Sequence, residues 1–288
     1  MNYRKVSAGA GWQWIVEGWR LFVSRPGALL LALVVMILVQ IALSLLPVIG
    51  SLVSMVVTPA LAGGLYLMVD RIARIRRDVA IDPLAGEQDV PLSLLFDGLS
   101  DAARRGPLLS LGGLSLLVNV LLAVLLVSAM TLPEDPAALQ GMDESQVMAL
   151  LGGISPWAWL LLFAGWAFWL AAMTFAVPLA ALGGRAAVAA LKQSLAAIGG
   201  NLGAFLVFGF ATAALGILAI MPMGLGLILF VPVMIGSVYA AFRALFGEAA
   251  DEPGDFDSGE GPGRDEQSAE NEWSPEGETT RKPGQLEV

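Results

Sequence analysis

A run of nineteen uncharged residues at positions 224–242 constrains the fold of this chain more than any other feature. A helix needs about 20 apolar residues to cross the roughly 30 Å hydrocarbon core of a bilayer. Arg243 ends the run and Tyr239 stands one helical turn before it. Aromatic and basic side chains of this kind mark the depth at which a span meets the headgroups. The stretch therefore predicts a transmembrane helix.

Five more apolar stretches of similar length predict five more spans. We place the six spans at residues 28–46, 51–69, 108–131, 156–182, 202–221 and 224–242. Only 14% of the residues are charged and 57% are hydrophobic, whereas about 25% of the residues in soluble domains are charged. The sequence therefore predicts an all-α membrane protein, because helices satisfy their own backbone hydrogen bonds in lipid.

Each pair of spans is expected to form a hairpin that follows an amphipathic helix at the membrane surface. In residues 12–25, tryptophans and aliphatic side chains fall on one face of a helix, and polar and charged side chains fall on the other. Residues 92–105 repeat this pattern, and residues 183–201 give a weakly amphipathic third copy. The predicted architecture is three hairpins, each preceded by an interfacial helix.

A proline–glycine–tyrosine motif recurs in the second and sixth spans and supports an internal repeat. The two copies are Pro59-x-x-x-Gly63-x-x-Tyr66 and Pro232-x-x-x-Gly236-x-x-Tyr239. The recurrence favours a body built from three copies of one unit. The alternative is that glycine-rich apolar helices resemble one another through composition alone.

The distribution of basic residues predicts the orientation of the spans. All thirteen Lys and Arg of residues 1–247 fall on one side of a six-span arrangement, and the opposite loop at residues 132–155 carries four acids and no base. This positive-inside pattern places both termini in the cytoplasm. Residues 1–27 then hold a cytoplasmic interfacial helix, and residues 28–247 form a six-helix membrane domain.

The composition changes abruptly at residues 248–288, which contain thirteen acids, three bases and almost no aliphatic residues. Such a segment cannot bury enough apolar area to offset the entropy lost on ordering, so we expect a disordered acidic cytoplasmic tail. The tail either recruits a basic cytoplasmic partner, with Trp273 as one apolar contact, or is simply solvated. No nucleic-acid partner is expected.

The residue types exclude several classes of chemistry. The chain has no Cys and no His, which excludes thiol chemistry, His-ligated metals and His general bases. No phosphate-binding glycine loop follows a strand pattern. No ionisable residue lies near the middle of a span, which argues against a proton-coupled pump. We therefore expect no catalytic residue, no cofactor and no metal, in a protein that is not an enzyme.

Six arginines are candidate contacts for the headgroups of membrane lipids. They are Arg71, Arg74, Arg76, Arg77, Arg104 and Arg105. The first four fall in a stretch predicted to be a charged loop that opens at Asp70, after the second span. Each basic residue near an anionic leaflet is attracted by about 1 kcal/mol. The alternative is that these charges only set the topology.

Five residues within the spans are candidates for lining a cavity or for packing helices together. They are Gln40, Asn119, Pro59, Pro178 and Pro232. The two amides either contact a substrate or hydrogen-bond between helices. The three prolines either kink their helices around a cavity or are tolerated in packed helices.

Two short segments, GWRLFVSRPG and PVMIGSVYAAFRALFG, resemble a family of uncharacterised proteobacterial six-span integral membrane proteins. The likeness covers residues 10–247 and excludes the acidic tail. That family is distantly similar to the membrane domain of some glycerophosphodiester phosphodiesterases, whose catalytic domain has no counterpart in this chain. The resemblance implies a location in the bacterial inner membrane and no established activity or site residues.

These observations favour a non-enzymatic, multi-pass inner-membrane protein that acts by helix packing, lipid contact or partner binding. The alternative is a transporter or a lipid-handling protein with a cavity between its helix hairpins.

Overall fold

A computed structural model describes residues 3–131 and 141–247 of this chain, and these residues form ten α-helices, two short 3-10 helices and no strand. The acidic tail expected at 248–288 lies outside the described residues, and so does part of the acidic loop, at 132–140. The helices are α1 (Ala10–Ser24), α2 (Pro26–Ser44), α3 (Ile49–Val79), α4 (Asp97–Ser100), α5 (Ala102–Ser128), α6 (Glu144–Gly152), α7 (Pro156–Ala181), α8 (Ala187–Gly200), α9 (Leu202–Ile220) and α10 (Leu227–Phe246), with 3-10 helices at Pro83–Glu87 and Leu92–Phe96.

Six of these helices are long and apolar enough, judged by length and composition, to cross a membrane. They are α2, α3, α5, α7, α9 and α10. The prediction of an all-α chain with six helices of membrane-spanning length is therefore confirmed. Their bounds lie close to the predicted spans in most cases, but two helices differ in a way that affects the candidate site.

Helix α3 continues ten residues beyond the predicted end of the second span, to Val79. The prediction of a charged loop opening at Asp70 is therefore wrong, because Asp70 and the four arginines that follow it lie on a helix. The reason is a buried apolar stripe: Val69, Ile72 and Ile75 fall three residues apart and are each at most 3% exposed. Packing of this stripe against the core holds the helix together past the last long apolar run.

The segment at 92–105 is not the single surface helix that the sequence predicts. A 3-10 helix at Leu92–Phe96 leads into the one-turn helix α4, and α5 then starts at Ala102. Asp101 separates the two helices, because its backbone is extended and its side chain accepts a hydrogen bond from the N–H of Ala103. An aspartate in this position is a strong helix N-cap. Arg104 and Arg105 consequently lie in the first turn of a span.

The core lies at one end of the bundle, where α3, α7 and α10 contact one another. These are the three helices that carry the interior prolines Pro59, Pro178 and Pro232. The C-terminal part of each is buried, and its N-terminal part is largely exposed. Phe175 and Phe242 are fully buried at the centre. The part of each helix that follows its interior proline thus belongs to the best-packed region of the molecule.

The remaining contacts follow a regular order. Taken two at a time along the chain, the membrane-length helices give the pairs α2–α3, α5–α7 and α9–α10, and the two members of each pair are in contact; α5 also packs on α3, which belongs to a different pair. The segment before each pair packs on the second helix of another pair. Helix α4 and the 3-10 helix before it pack on α3, α8 packs on α7, and α1 packs on α10. The first described helix is therefore joined to the last.

Two of these contacts are close backbone crossings at a glycine. A Cβ on Gly18 in α1 would lie 2.2 Å from the hydroxyl oxygen of Ser237 and 2.6 Å from the carbonyl oxygen of Val233 in α10. A Cβ on Gly98 in α4 would lie 2.1 Å from the carbonyl oxygen of Ala60 in α3. Both glycines follow an acidic residue, and both meet the residue that follows an interior proline. The two crossings are therefore equivalent in sequence and in contact.

We expect Gly18→Ala to lower the free energy of unfolding by about 1–3 kcal/mol, because an added methyl group would overlap the backbone of α10. Gly113→Ala in α5 is the matched control, because a Cβ there meets nothing within 4 Å. The control should be neutral or slightly stabilising, since alanine favours helix over glycine. Thermal unfolding in detergent, followed by tryptophan fluorescence, compares the two; equal melting temperatures would contradict the crossing.

Candidate functional site

Hydrogen bonds gather several chain segments at the end of the bundle where the core lies. The N–H of Arg4 donates to the carbonyl of Leu245 at the end of α10, with 2.9 Å between the atoms. The N–H of Val6 donates to the side-chain oxygen of the buried Asn201, which stands between α8 and α9. Arg104 donates to the carbonyl of Ala181 at the end of α7. We call this the basic end, because the segments that meet there carry all thirteen Lys and Arg of residues 1–247.

Asp70 is the most deeply placed acid at the basic end and is only 7% exposed. The hydroxyl of Tyr239 in α10 donates to one carboxylate oxygen at 2.7 Å, and Nε of Arg74 donates to the other at 2.7 Å. A buried carboxylate is costly unless it is paired and hydrogen-bonded. Here both oxygens have hydrogen-bond partners, which offset the free-energy cost of removing the carboxylate from water. The carboxylate can therefore join α3 to α10.

A second acid, Glu17, connects α1 to the same region of α3. Its carboxylate forms an ion pair with Arg76 of α3 and a longer one, at 3.5 Å, with Arg20 of α1. Nearby, the guanidinium of Arg25 donates to the carbonyls of Gly86 and Gln88. The middle and the C-terminal end of α1 are thus tied to α3 and to the segment that follows α3.

A cavity of about 560 Å³ lies between α1, α3 and α10 at the basic end. We call it the basic cavity, and its lining consists of Glu17, Leu21, Ala73, Arg76, Arg77, Ala80, Tyr239, Ala240 and Arg243. Three guanidinium groups and one carboxylate line it, which leaves an excess of two positive charges. Guanidinium groups bind carboxylates and phosphates through paired hydrogen bonds. The cavity therefore suits an anionic group.

An apolar groove of about 470 Å³ lies on the other side of α1. It is lined by Trp12, Ile15, Val16, Trp19, Leu215, Leu218, Ala219, Gly226, Leu229, Phe230 and Val233. The α1 residues of the groove and those of the basic cavity fall on nearly opposite faces of the helix, at 100° per residue. Helix α1 therefore separates an apolar surface, along the spans, from a charged one at their ends.

The six arginines predicted as lipid contacts do not form one patch. Arg76 and Arg77 line the basic cavity, and Arg74 is committed to Asp70. Arg104 forms an ion pair with Asp101 besides its bond to the carbonyl of Ala181. Arg71 lies on α3 outside the lining, and Arg105 is exposed in the first turn of α5. The structure thus places two of the six in the cavity.

The five predicted cavity or packing residues lie elsewhere in the described part of the chain. Gln40 of α2 donates to the hydroxyl of Thr58 and accepts a hydrogen bond from Ser54, which links α2 to α3. Asn119 is exposed and donates to the carbonyl of Ser115, one turn earlier in its own helix. The three prolines are buried in α3, α7 and α10. None of the five lines the basic cavity or the apolar groove.

Sequence reasoning missed Asp70 and Glu17 and treated Tyr239 and Arg243 only as interface anchors. The sequence did contain a signal for Asp70. Tyr66, Asp70 and Arg74 are spaced four residues apart, so they share one face of the helix if α3 continues past the second span. The same spacing separates Tyr239 from Arg243. Reading both tyrosine motifs as helix with a polar ending would have identified the cluster.

The opposite end of the bundle carries acids. Asp143 is the N-cap of α6, where its side chain accepts a hydrogen bond from the N–H of Gln146 and the side chain of Gln146 accepts one from the N–H of Asp143. Hydrogen bonds to the carboxylate from the Ser145 hydroxyl and from the Gln146 N–H lower the pKa of Asp143 below its usual value. These hydrogen bonds favour the charged form of Asp143.

Among the described residues, no group of three or more His, Cys, Asp or Glu could hold a metal ion. Comparison of the chain with models of protein families, with curated proteins and with solved structures found no match. The site is therefore interpreted from its own geometry.

We expect Tyr239→Phe to lower the free energy of unfolding by about 1.5–3 kcal/mol, because a hydrogen bond to a buried carboxylate is lost. Tyr3→Phe is the matched control; the ring of Tyr3 packs on Gly200, and its hydroxyl has no hydrogen bond within the described residues. The control should change stability by less than about 0.5 kcal/mol. Thermal unfolding in detergent measures both, and equal effects would argue against a structural role for the Asp70–Tyr239 bond.

Proposed function

We propose that this protein is a non-enzymatic, multi-pass protein of the bacterial inner membrane that acts through lipid contact and partner binding at its basic end. The observation that carries the proposal is the basic cavity, which lies at the ends of membrane-length helices and holds an excess of positive charge. Anionic headgroups are the partners that such charges would meet at the surface of a bilayer. The resemblance to proteobacterial six-span proteins agrees with this location.

The proposed arrangement in the membrane is three hairpins, α2–α3, α5–α7 and α9–α10, each preceded by a surface segment. The two matching glycine crossings, at which the segment before one pair meets the second helix of another pair, support it. In α1, Trp12 and Trp19 are about half exposed, at 53% and 49%, while Trp14 is buried. Half-exposed tryptophans such as Trp12 and Trp19 suit the headgroup region, where amphipathic rings are enriched.

The basic end is proposed to face the cytoplasm, together with both termini. All thirteen Lys and Arg of residues 1–247 belong to the segments that meet at this end. The cytoplasmic leaflet is the side on which loops rich in Lys and Arg are retained. A basic cytoplasmic partner for the acidic residues 248–288 remains part of the proposal, although that segment lies outside the described residues.

A second candidate function is favoured by one observation. The basic cavity lies between α3 and α10, which belong to different pairs, with α1 at its side, and such an opening is what a transporter or lipid-handling protein would need. The two functions differ in whether a bound lipid moves across the bilayer. Vesicles with a fluorescent lipid in one leaflet distinguish them, because only the second function would make that lipid accessible from the other side.

Reporter fusions test the orientation. After Asp143, a reporter that is active only in the periplasm should give a signal, and a reporter that is active only in the cytoplasm should give none. After Gly247 the result should be reversed, because the basic end is retained inside. Alkaline phosphatase and green fluorescent protein, which are active in opposite compartments, are used in parallel at both positions. A cytoplasmic signal at Asp143 or a periplasmic signal after Gly247 would overturn the proposed topology.

Lipid retention tests the function. Protein purified from mixed micelles should retain more phosphatidylglycerol than phosphatidylcholine, since only the first carries a net negative charge. The preference should weaken as salt is raised from about 0.1 M to 1 M, because the screening length falls from about 10 Å to 3 Å. Native mass spectrometry counts the bound lipids, and phosphatidylethanolamine serves as a second neutral control. Equal retention of all three lipids would refute lipid contact through charge.

A further inference from the structure

We infer that the apolar groove is a binding site for one acyl chain of a membrane phospholipid. The groove and the basic cavity lie on nearly opposite faces of α1, so the groove is separate from the surface proposed to contact lipid through charge. This second contact rests on the membrane location in the proposed function, but it involves no charged residue and depends only on the shape of the hydrocarbon chain.

Three helices form the walls of the groove. Near the basic end, α1 packs on α9 through Trp14, whose ring centroid lies 5.2 Å from that of Phe205, and it crosses α10 at Gly18. Near the turn that joins α9 to α10, those two helices touch directly, since a Cβ on Gly226 would lie 2.6 Å from the Cα of Ala219. The groove lies between this contact and α1, because residues of both line it. It is therefore a slot bounded by three helices and not part of a flat surface.

The lining of the groove suits a hydrocarbon. All eleven of its residues are apolar, and none carries a charge. A polar ligand buried against such walls would lose hydrogen bonds to water without replacing them, which is unfavourable. Among the lining side chains, only the indoles of Trp12 and Trp19 have a hydrogen-bond donor, and both belong to α1. The ligand can therefore be polar only at the end that lies beside α1.

The groove lies at the depth of the hydrocarbon core. Val233 is the lining residue of α10 nearest the basic end, and it precedes Arg243 by about 15 Å along the helix axis. The lining continues from Val233 to Gly226, close to the other end of the span. Acyl chains fill a bilayer over roughly 30 Å at this depth. Because an empty slot would deprive its walls of dispersion contacts, we expect a chain to occupy it.

The size of the groove favours a chain over a transmembrane helix. An α-helix with its side chains is about 10 Å wide, so two turns of it would fill roughly 850 Å³. The groove holds only about 470 Å³. A helix of a partner or of a second copy could therefore cover the groove but could not enter it, whereas a single file of methylene groups can.

The two tryptophans indicate which end of the lipid lies at α1. Trp12 and Trp19 lie on the same side of the helix, about 10 Å apart along its axis, and both are half exposed. Tryptophan is enriched at the depth where acyl chains join the headgroup, and its N–H can donate to an ester oxygen there. The glycerol end of the lipid therefore lies beside α1, and the chain extends towards Gly226.

Photolabelling tests the site. The full chain is placed in phosphatidylcholine nanodiscs with a trace of phosphatidylcholine or phosphatidylglycerol that carries a diazirine in one chain, and mass spectrometry identifies the labelled residues. Leu218 and Ile217 are the matched pair, because both are exposed on α9, at 59% and 66%, but only Leu218 lines the groove. Labelling of Leu218 should exceed that of Ile217 several-fold with both lipids. Labelling in proportion to exposure would mean that lipid merely surrounds the protein and would overturn the site.

Filling the groove supplies a second test. Val16→Trp and Val23→Trp make the same change on α1, but only Val16 lines the groove. Val16→Trp should lower the labelling of Leu218 by at least about threefold, because the indole takes the volume that the chain needs, and Val23→Trp should leave it nearly unchanged. Leu229→Phe, with the non-lining Ile228→Phe as its control, repeats the comparison on α10 in case Val16→Trp lowers the melting temperature. Unchanged labelling in both lining variants would overturn the inference.

The remaining outcomes separate the groove from the proposed function and from other occupants. Equal retention of charged and neutral lipids would refute lipid contact through charge and would leave the labelling of Leu218 as expected. Labelling by a free diazirine fatty acid but by neither phospholipid would overturn the assignment to a phospholipid. The chain has no cysteine, so Leu218→Cys and Ile217→Cys report a protein neighbour through disulfide formation. Disulfide-linked dimers of Leu218→Cys alone would assign the groove to a second copy and overturn the inference.

Discussion

Close packing of α3, α7 and α10 at one end of the bundle is the contact on which the rest of the structure depends. Helices in lipid gain little from the hydrophobic effect when they associate, so they rely on van der Waals contact and hydrogen bonds between close backbones. Small residues make that approach possible here: Ala60, Ala176 and Ala180 are fully buried in the core helices. Gly18 and Gly98 allow the surface segments to reach the same helices. The other halves of the spans, which lack these contacts, are largely exposed.

The hydrogen-bonded cluster of Asp70, Tyr239 and Arg74 depends on that packing and fixes how α3 and α10 are aligned along their axes. Apolar contacts alone would permit α3 and α10 to slide, but a carboxylate that needs both Tyr239 and Arg74 fixes their relative height. Polar groups buried in this way are retained only where their partners are complete. The fixed height brings Arg77 and Arg243 to one cavity. The position of these two arginines in one cavity thus follows from a constraint between two helices.

The sequence predicts the helices well and their contacts poorly, for identifiable reasons. Uncharged runs reveal six spans because lipid requires them. Helix α3 is underestimated because Asp70 and four arginines resemble a loop, whereas the buried stripe at Ile72 and Ile75 continues the helix. The bond from Tyr239 to Asp70 joins residues 169 positions apart, and no local pattern encodes such a contact. Arg76 and Arg77 were predicted as lipid contacts. That Arg243 lies in the same cavity could not be predicted, because it depends on how α3 and α10 pack together.

The pairing of α1 with α10 has a consequence for how the protein is made. Helix α1 is synthesised before α10, yet the backbone surface that covers Gly18 belongs to α10. At about 5–20 residues per second, the chain needs on the order of 10–40 s to supply that partner. During this interval α1 can contact only the membrane surface and the chain segments that have already been synthesised. The docking of α1 on α10 is therefore delayed until the chain between them, more than two hundred residues, has been synthesised.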